Sequence, residues 1–219
     1  MSHKFTCNAV LFDLDGVLID STPNILRHWK TWADEHGMDI REIERVAHGL
    51  RTVETMRLVA PHLDAEQEAR LFAEHELKDL TGITAVEGAR ELITSFNGMK
   101  WAVVTSGCRK LVHLRMGQAG LPVPEYLVTA DDVISGKPSP EPYLKGAQLL
   151  GVKPQNCLVV EDAPAGIEAG TKAGMRVVAV ASTHTRAMLA ETQADGIVDR
   201  LADIRISPTG DGQILVTCG

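Results

Sequence analysis

Cysteine is scarce: the four in this 219-residue chain, at 7, 108, 157 and 218, form no CxxC pair and no zinc-ligand spacing. That pattern argues against a disulfide framework and favours a set of reduced thiols. No apolar run approaches the roughly 20 residues of a membrane-spanning helix. The stretch before Asp13 is too short for a signal-peptide core, so the expected location is the cytoplasm, with no membrane partner. A basic surplus is missing too. Lys and Arg number 22 against 29 Asp and Glu, a formal net charge of −7, which leaves no electrostatic footprint for nucleic acid. An anionic substrate would need local positive charge or a metal.

What remains is an ordinary globular balance, 44% hydrophobic and 23% charged, in a chain long enough for one main domain with a smaller attachment. Five apolar runs, "NAVLFDLD", "KWAVVTSG", "EYLVTADD", "NCLVVEDA" and "RVVAVAS", suit parallel strands buried on both faces. Helical stretches over about 87–97, 109–119, 140–151 and 163–173 alternate with them, which predicts a Rossmann-like, doubly wound α/β sheet. Residues 20–82 break the alternation with helical signals alone. Ser21 or Thr22 precedes Pro23, Asp39 precedes Glu42 by three, and Asp64 precedes Gln67 by three, all helix-start patterns. We therefore expect an α/β core over 1–19 and 83–219, with a small all-helical domain over 20–82 inserted after the first strand. The tail "DIRISPTGDGQILVTCG" predicts a β-hairpin around Pro208–Gly212, added at a sheet edge.

In an open parallel sheet, ligands bind beyond the carboxyl ends of the strands. Here those ends carry polar groups: Asp13 and Asp15 after the first strand, Thr105, Ser106 and Gly107 after the second, and Glu161 and Asp162 after "LVV". Lys137 sits between Gly136 and Pro138 just before the helix at 140. Four carboxylates do not share a small space as anions without a cation, and an oxygen-only ligand set favours Mg²⁺ over zinc. Hydroxyls, loop N–H groups and Lys137 suit phosphate oxygens. Carboxylates, metal and phosphate cradle together point to phosphoryl transfer. Asp13, first of the pair, is the candidate nucleophile. Asp15 is the candidate acid and base, and Gly16 provides the sharp turn that aims it back.

Simpler explanations compete with each motif. DxDG also opens a calcium loop, but the twelfth position is Asn24 rather than Glu and the flank is a strand. "SGKPS" lacks the upstream glycine of a nucleotide P-loop and has Pro after Lys. A single strand-end Asp is usually a turn residue; the ordered set carries the weight. In "AHGLRT", His48 and Arg51 are candidates for reaching the site, against the plain alternative of a solvated helix–helix turn. Trp29 and Trp32 read as packing residues, and Cys108 as incidental.

These residues resemble a known family. "FDLDGVLIDS", "VVTSG", "GKPSPEPY" and "VVEDAPAG" are similar, in order, to the four motifs of the haloacid dehalogenase superfamily, and the helical insert is similar to its small cap. The resemblance implies Asp13 as nucleophile and Asp15 as acid/base. It implies Mg²⁺ held by the Asp13 carboxylate, the Asp15 main-chain carbonyl and Asp162, with Glu161 as a direct or indirect ligand. Thr105, the Ser106 and Gly107 amides and Lys137 would hold the phosphoryl group. Members that cleave carbon–halogen bonds lack the second aspartate, so Asp15 points to phosphate chemistry. The longer match "HGLRT … KWAVVTSG … GKPSPEPYLKGAQLLG … EDAPAGIEAGTKAG" is similar to phosphatases of glycerol phosphate, 2-deoxyglucose 6-phosphate and related sugar phosphates, whose cap turn faces the substrate through residues matching His48 and Arg51.

The expected partner is thus a small phosphorylated sugar or polyol, and the expected assembly a monomer or weak homo-oligomer. A phosphomutase of the β-phosphoglucomutase kind shares the DxD pair and the cap. A phosphonate hydrolase would need a cap lysine, for which Lys30 and Lys78 are the only candidates. A non-catalytic metabolite sensor is disfavoured by the intact Asp13, Asp15 and Lys137.

Overall fold

A computed structural model describes residues 3–219. In chain order the strands are β1 (His3–Cys7), β2 (Ala9–Phe12) and β3 (Ile19–Asp20), followed by helices α1 (Thr22–His36), α2 (Ile40–Ala47), α3 (Thr52–Val59) and α4 (Ala65–Glu76). Next come β4 (Thr84–Ala85), α5 (Ala89–Ser95), β5 (Trp101–Val104), α6 (Arg109–Gln118), β6 (Leu127–Val128) and α7 (Glu141–Leu150). The chain closes with β7 (Cys157–Glu161), α8 (Pro164–Lys172), β8 (Arg176–Val180), α9 (Arg186–Ala190), β9 (Gly196–Val198), β10 (Ile204–Pro208) and β11 (Ile214–Cys218). No helix among the described residues is long and apolar enough to cross a membrane.

The main sheet has six parallel strands in the order β6-β5-β2-β7-β8-β9. Side chains alternate between its faces, as the two-residue period of a strand requires. Val10, Phe12, Val103, Leu158, Val160, Val178 and Val180 join one buried cluster with residues of α5 and α6. Ala9, Leu11, Ala102, Val104, Val159, Val177 and Ala179 join the other, with residues of α7 and α8. Both faces are therefore apolar, and the strands appear in sequence as nearly unbroken Val/Leu/Ala runs. The strand order reverses at β2: β5 and β6 lie to one side, β7, β8 and β9 to the other. The tip of β2 is thus the switch point at which such sheets bind ligands.

Two features of the ends depart from the sequence expectation. The tail does form an antiparallel hairpin, β10 with β11, but β11 also pairs with β1 to make a separate three-stranded sheet. That sheet covers a face of the core, with Phe5, Ile204, Ile214 and Val216 in the cluster beneath the main sheet, so the hairpin is not an edge addition. β1 carries no local signal in the sequence, because its partner is more than 200 residues away in the chain.

Helices α1–α4 lie between β3 and β4, which pair at the neck through Ile19 with Ala85 and Asp20 with Thr84. They have their own buried cluster around Trp29, Trp32, Ile43, Met56 and Phe72, with the Trp29 and Phe72 ring centroids 4.4 Å apart. Asp39 caps α2 by accepting from the Arg41 amide, and Asp64 caps α4 by accepting from the Gln67 amide. Ser21 occupies the N-cap of α1, yet its hydroxyl makes no cap bond; it is used elsewhere.

Candidate active site

The site assembles at the carboxyl tips of β2, β5 and β7. The Asp13 amide donates to the Val160 carbonyl at 2.9 Å, extending the β2–β7 ladder to the first acidic residue, whose side chain is buried. The chain then turns. The Leu14 carbonyl accepts from the amides of Val17, Leu18 and Ile19, and Gly16 takes φ +84°, a backbone region that disfavours side chains. A Cβ at Gly16 would overlap the carboxylate of Asp162, so this glycine provides both the turn and the space for a neighbouring acid.

Lys137 ties three strand tips together, those of β2, β5 and β7. Its Nζ donates to Asp13 Oδ1 and Glu161 Oε1, both at 2.6 Å, and to the Val104 carbonyl at 3.1 Å. Burial alone would push this ammonium down, but the two carboxylates override it and hold it above the usual lysine range. Glu161 is saturated: Oε1 also accepts from the Tyr143 hydroxyl at 2.7 Å, and Oε2 from the amides of Asp162 and Ala163. Asp162 takes a hydroxyl bond from Thr183.

Asp13, Glu161 and Asp162 bring carboxylate oxygens within 4.8 Å of one another, all buried. Three acids face one amine. Burial pushes the Asp13 carboxyl up to about 7, against the pull of Lys137 and with Glu161 and Asp15 adding to the rise. Asp162 is driven well above the ordinary carboxylate range by burial, then by Glu161 and Asp13. This surplus of buried negative charge is the electrostatic condition a hard divalent cation relieves, and the all-oxygen donor set suits Mg²⁺. Asp13 and Asp162 have oxygens to offer it. Both oxygens of Glu161 are already engaged, which suits it to a supporting position behind the metal.

Thr105, Ser106 and Gly107 line the same cleft as Asp13, Asp15 and Asp162. Thr105 is buried, and its Oγ1 accepts from the Gly107 amide at 3.1 Å, which fixes the loop. The Ser106 hydroxyl crosses to the helical domain and donates to the Gly49 carbonyl at 2.8 Å. Gly49, with φ +82°, sits so close to α8 that a Cβ would lie 2.9 Å from that of Ala163. The "HGL" turn is thus seated directly on the core.

His48 lines the cleft, with its ring edge-on to that of His184 at 5.4 Å, and burial followed by His184 lowers its proton affinity. Arg51 is not brought into the cleft. Its Nη2 donates to Glu54 Oε1 at 2.6 Å and to the Ile134 carbonyl at 3.0 Å, and Glu54 also accepts from the Gly136 amide, beside Lys137. The pair clamps α3 onto the lysine loop. Trp29 and Trp32 are packing residues as expected, although Trp29 also forms part of the cleft wall.

Arg115, Tyr143 and Thr183 are polar residues that bond directly to the site's carboxylates and that the sequence motifs do not single out. Arg115, buried on α6, donates through Nη1 to Asp15 Oδ1 at 2.8 Å and through Nη2 to Glu76 Oε1 at 2.7 Å. The same Asp15 Oδ1 accepts from the Ser21 hydroxyl at 2.5 Å. Thr183 follows β8, so the strand-tip rule could have found it. Tyr143 lay within a quoted motif, and nothing in its local sequence signals the bond to Glu161.

A family model described as haloacid dehalogenase-like hydrolase matches residues 10–180, which include the tips of β2, β5 and β7. The chain belongs to this family. This haloacid dehalogenase-like hydrolase is 41% identical to hexitol phosphatase A of Escherichia coli K12, over 96% of the chain and 99% of that protein. It is 37% identical to glycerol-1-phosphate phosphohydrolase 2 of Saccharomyces cerevisiae, over 91% of the chain and 84% of that protein. Among solved structures, a hydrolase from Pseudomonas syringae superposes with a TM-score of 0.82 at 26% identity, covering 90% of this chain and 95% of that one. The haloacid dehalogenase-like core is therefore the six-stranded sheet, and the four-helix insert stands where the family carries its cap.

Proposed function

We propose that this chain is a Mg²⁺-dependent phosphatase of small sugar or polyol phosphate monoesters, with residues 20–82 acting as its cap. The observation that carries the reading is the surplus of buried carboxylates around Lys137, set at the switch point of the sheet and facing a cleft roofed by the helical insert. The names of the relatives, a hexitol phosphatase and a glycerol-1-phosphate phosphohydrolase, support the substrate class.

Asp13 attacks phosphorus with a carboxylate oxygen while the ester P–O bond breaks and its electron pair leaves with the alkoxide. Asp15 gives that alkoxide a proton. Water then attacks the aspartyl-phosphate and surrenders a proton to the Asp15 carboxylate; the bond to Asp13 breaks, and orthophosphate leaves. The loop of Thr105, Ser106 and Gly107 binds and orients the phosphoryl oxygens, while Lys137, whose three N–H bonds go to Asp13, Glu161 and the Val104 carbonyl, acts on them through its charge and holds Asp13 in place. Asp13, Asp162 and the Asp15 carbonyl would hold Mg²⁺, which when bound neutralises charge between the attacking carboxylate and the phosphate.

The cleft is partly open to solvent. On the cap side it offers Glu44, Thr52 and Thr55, the last with a buried hydroxyl that has no partner among the described residues, beside apolar Ile25, Leu26 and Trp29. Hydroxyls of a polyol suit those acceptors. Among the described residues that line the cleft, the basic ones are Arg115, held by two carboxylates, and His48, lowered in proton affinity by burial, so neither is free for a second phosphate.

The test is phosphate release with Mg²⁺ over a panel of sugar and polyol monophosphates, with sugar bisphosphates included, beside Asp13→Asn and an EDTA control. Turnover of one or a few monophosphates, weak on bisphosphates and lost in both controls, is expected. Full turnover by Asp13→Asn would remove the nucleophile from this account.

A further inference from the structure

Arg115 joins two carboxylates of different parentage. Its guanidinium is about 4% exposed and spans Asp15, on the loop after β2, and Glu76, the last residue of α4 in the helical insert. An ion pair between cap and core would account for Glu76 alone. It does not account for the second arm, which ends on the acid assigned to proton transfer.

We propose that Arg115 is a positioning residue for Asp15, and that Glu76 holds Arg115 in place when the cap lies on the core. The inference rests on the reading of Asp15 as the acid and base of a phosphatase. Two donors, Arg115 Nη1 and the Ser21 hydroxyl, converge on the same oxygen, Asp15 Oδ1. Together they fix the plane of the carboxylate, and among the described residues no hydrogen bond is made to Oδ2. That oxygen is left to carry the proton into the cleft that Asp15 lines. Both donors depend on the cap. Ser21 stands at the N-cap of α1, where the chain enters the insert, and Arg115 is anchored by the end of α4, where the chain prepares to leave it. Seating the cap therefore orients the acid, and lifting it releases Arg115 from one of its two carboxylates.

Leaving-group dependence separates positioning of an acid from general structural support. The quantity is kcat/KM, which covers the steps up to formation of the aspartyl-phosphate and leaves out the later attack by water. An alkyl alkoxide needs a proton as it departs; p-nitrophenolate does not. Arg115→Lys, Glu76→Gln and Asp15→Asn are compared on p-nitrophenyl phosphate and on the alkyl monophosphate the native enzyme turns over fastest. Arg115→Lys is expected to lose roughly tenfold or more in kcat/KM on the alkyl ester beyond its loss on p-nitrophenyl phosphate, within the range of general acid catalysis. Glu76→Gln, nearly isosteric, is expected to show the same selectivity at roughly threefold, about half the free energy. Equal losses on the two esters for Arg115→Lys would overturn the proposal while Asp15→Asn remained selective. Equal losses for Asp15→Asn would instead overturn the assignment of Asp15 on which it rests. Should Arg115→Lys fail to fold, Glu76→Gln decides: no selective loss there overturns the proposal.

Discussion

Lys137 is a fully buried amine that touches two of the three clustered acids, and its removal separates what it does for the fold from what it does for the reaction. Without it, Asp13, Glu161 and Asp162 would keep their burial and lose their one ammonium. Breaking a buried pair by deleting one partner costs on the order of 3–5 kcal/mol, since the remaining charge stays desolvated. Lys137→Met is therefore expected to lower the melting temperature in EDTA by about 10 °C. Mg²⁺ should restore part of that loss, because it supplies positive charge to the same oxygens, whereas activity should stay lost. Thermal melts of the variant with EDTA and with Mg²⁺ check this; an unchanged melting temperature in EDTA would mean that Lys137 does not neutralise the cluster.

On the side of the cap–core seam away from Arg115 and Glu76, α3 and the HGL turn meet the loop after β5 and the loop before α7. Three contacts cross it there: Ser106 to Gly49, Gly136 to Glu54, and Arg51 to Ile134. Arg51→Ala removes one of these and frees Glu54 from its partner. If Arg51 acts as a clamp, KM should rise by a similar factor for every ester, roughly tenfold for a hydrogen bond worth about 1.4 kcal/mol, and the order of substrate preference should survive. A changed order would return Arg51 to the role of substrate contact. The elements around the site were legible to different degrees for physical reasons. β2, β5 and β7 are buried on both faces, so apolar runs ending in Asp, Thr or Glu mark both the strands and their tips, whereas the β8 run ends in Ala and Ser and marks the strand without Thr183 at its tip. Arg115 was not legible. In "RKLVHLRMGQ" it looks like one more solvated basic residue of a helix, and its burial arises from Asp15 and Glu76, 100 and 39 residues away. Of the two start candidates Ser21 and Thr22, Ser21 is the residue before α1, but its hydroxyl goes to Asp15 instead of the helix end, a choice that only the tertiary structure reveals.

At the scale of the whole molecule, an acidic chain of formal charge −7 concentrates part of its charge in a buried cleft, and the cost of doing so depends on pH. Burial raises both Asp13 and Glu76 to about 7, the one against Lys137 and the other against Arg115. The folded protein without metal therefore keeps protons on these groups that the unfolded chain gives up near its ordinary carboxylate pKa values. Their contribution to stability is fully present below about pH 4 and is lost as pH rises through 7, so the metal-free protein loses stability across that window. Mg²⁺ at the proposed site is expected to have the opposite slope. A carboxylate must be deprotonated to ligate, so metal binding displaces the proton from Asp13 and strengthens as that proton becomes easier to remove. The difference in melting temperature between Mg²⁺ and EDTA is expected to be small at pH 5 and to widen through pH 7, reaching its plateau near pH 8. Scanning calorimetry at a series of pH values, with metal and with EDTA, measures it directly. A difference independent of pH would mean that Asp13 is already ionised in the metal-free fold. In that case Lys137 alone, without a second cation, would suffice to hold the acids together.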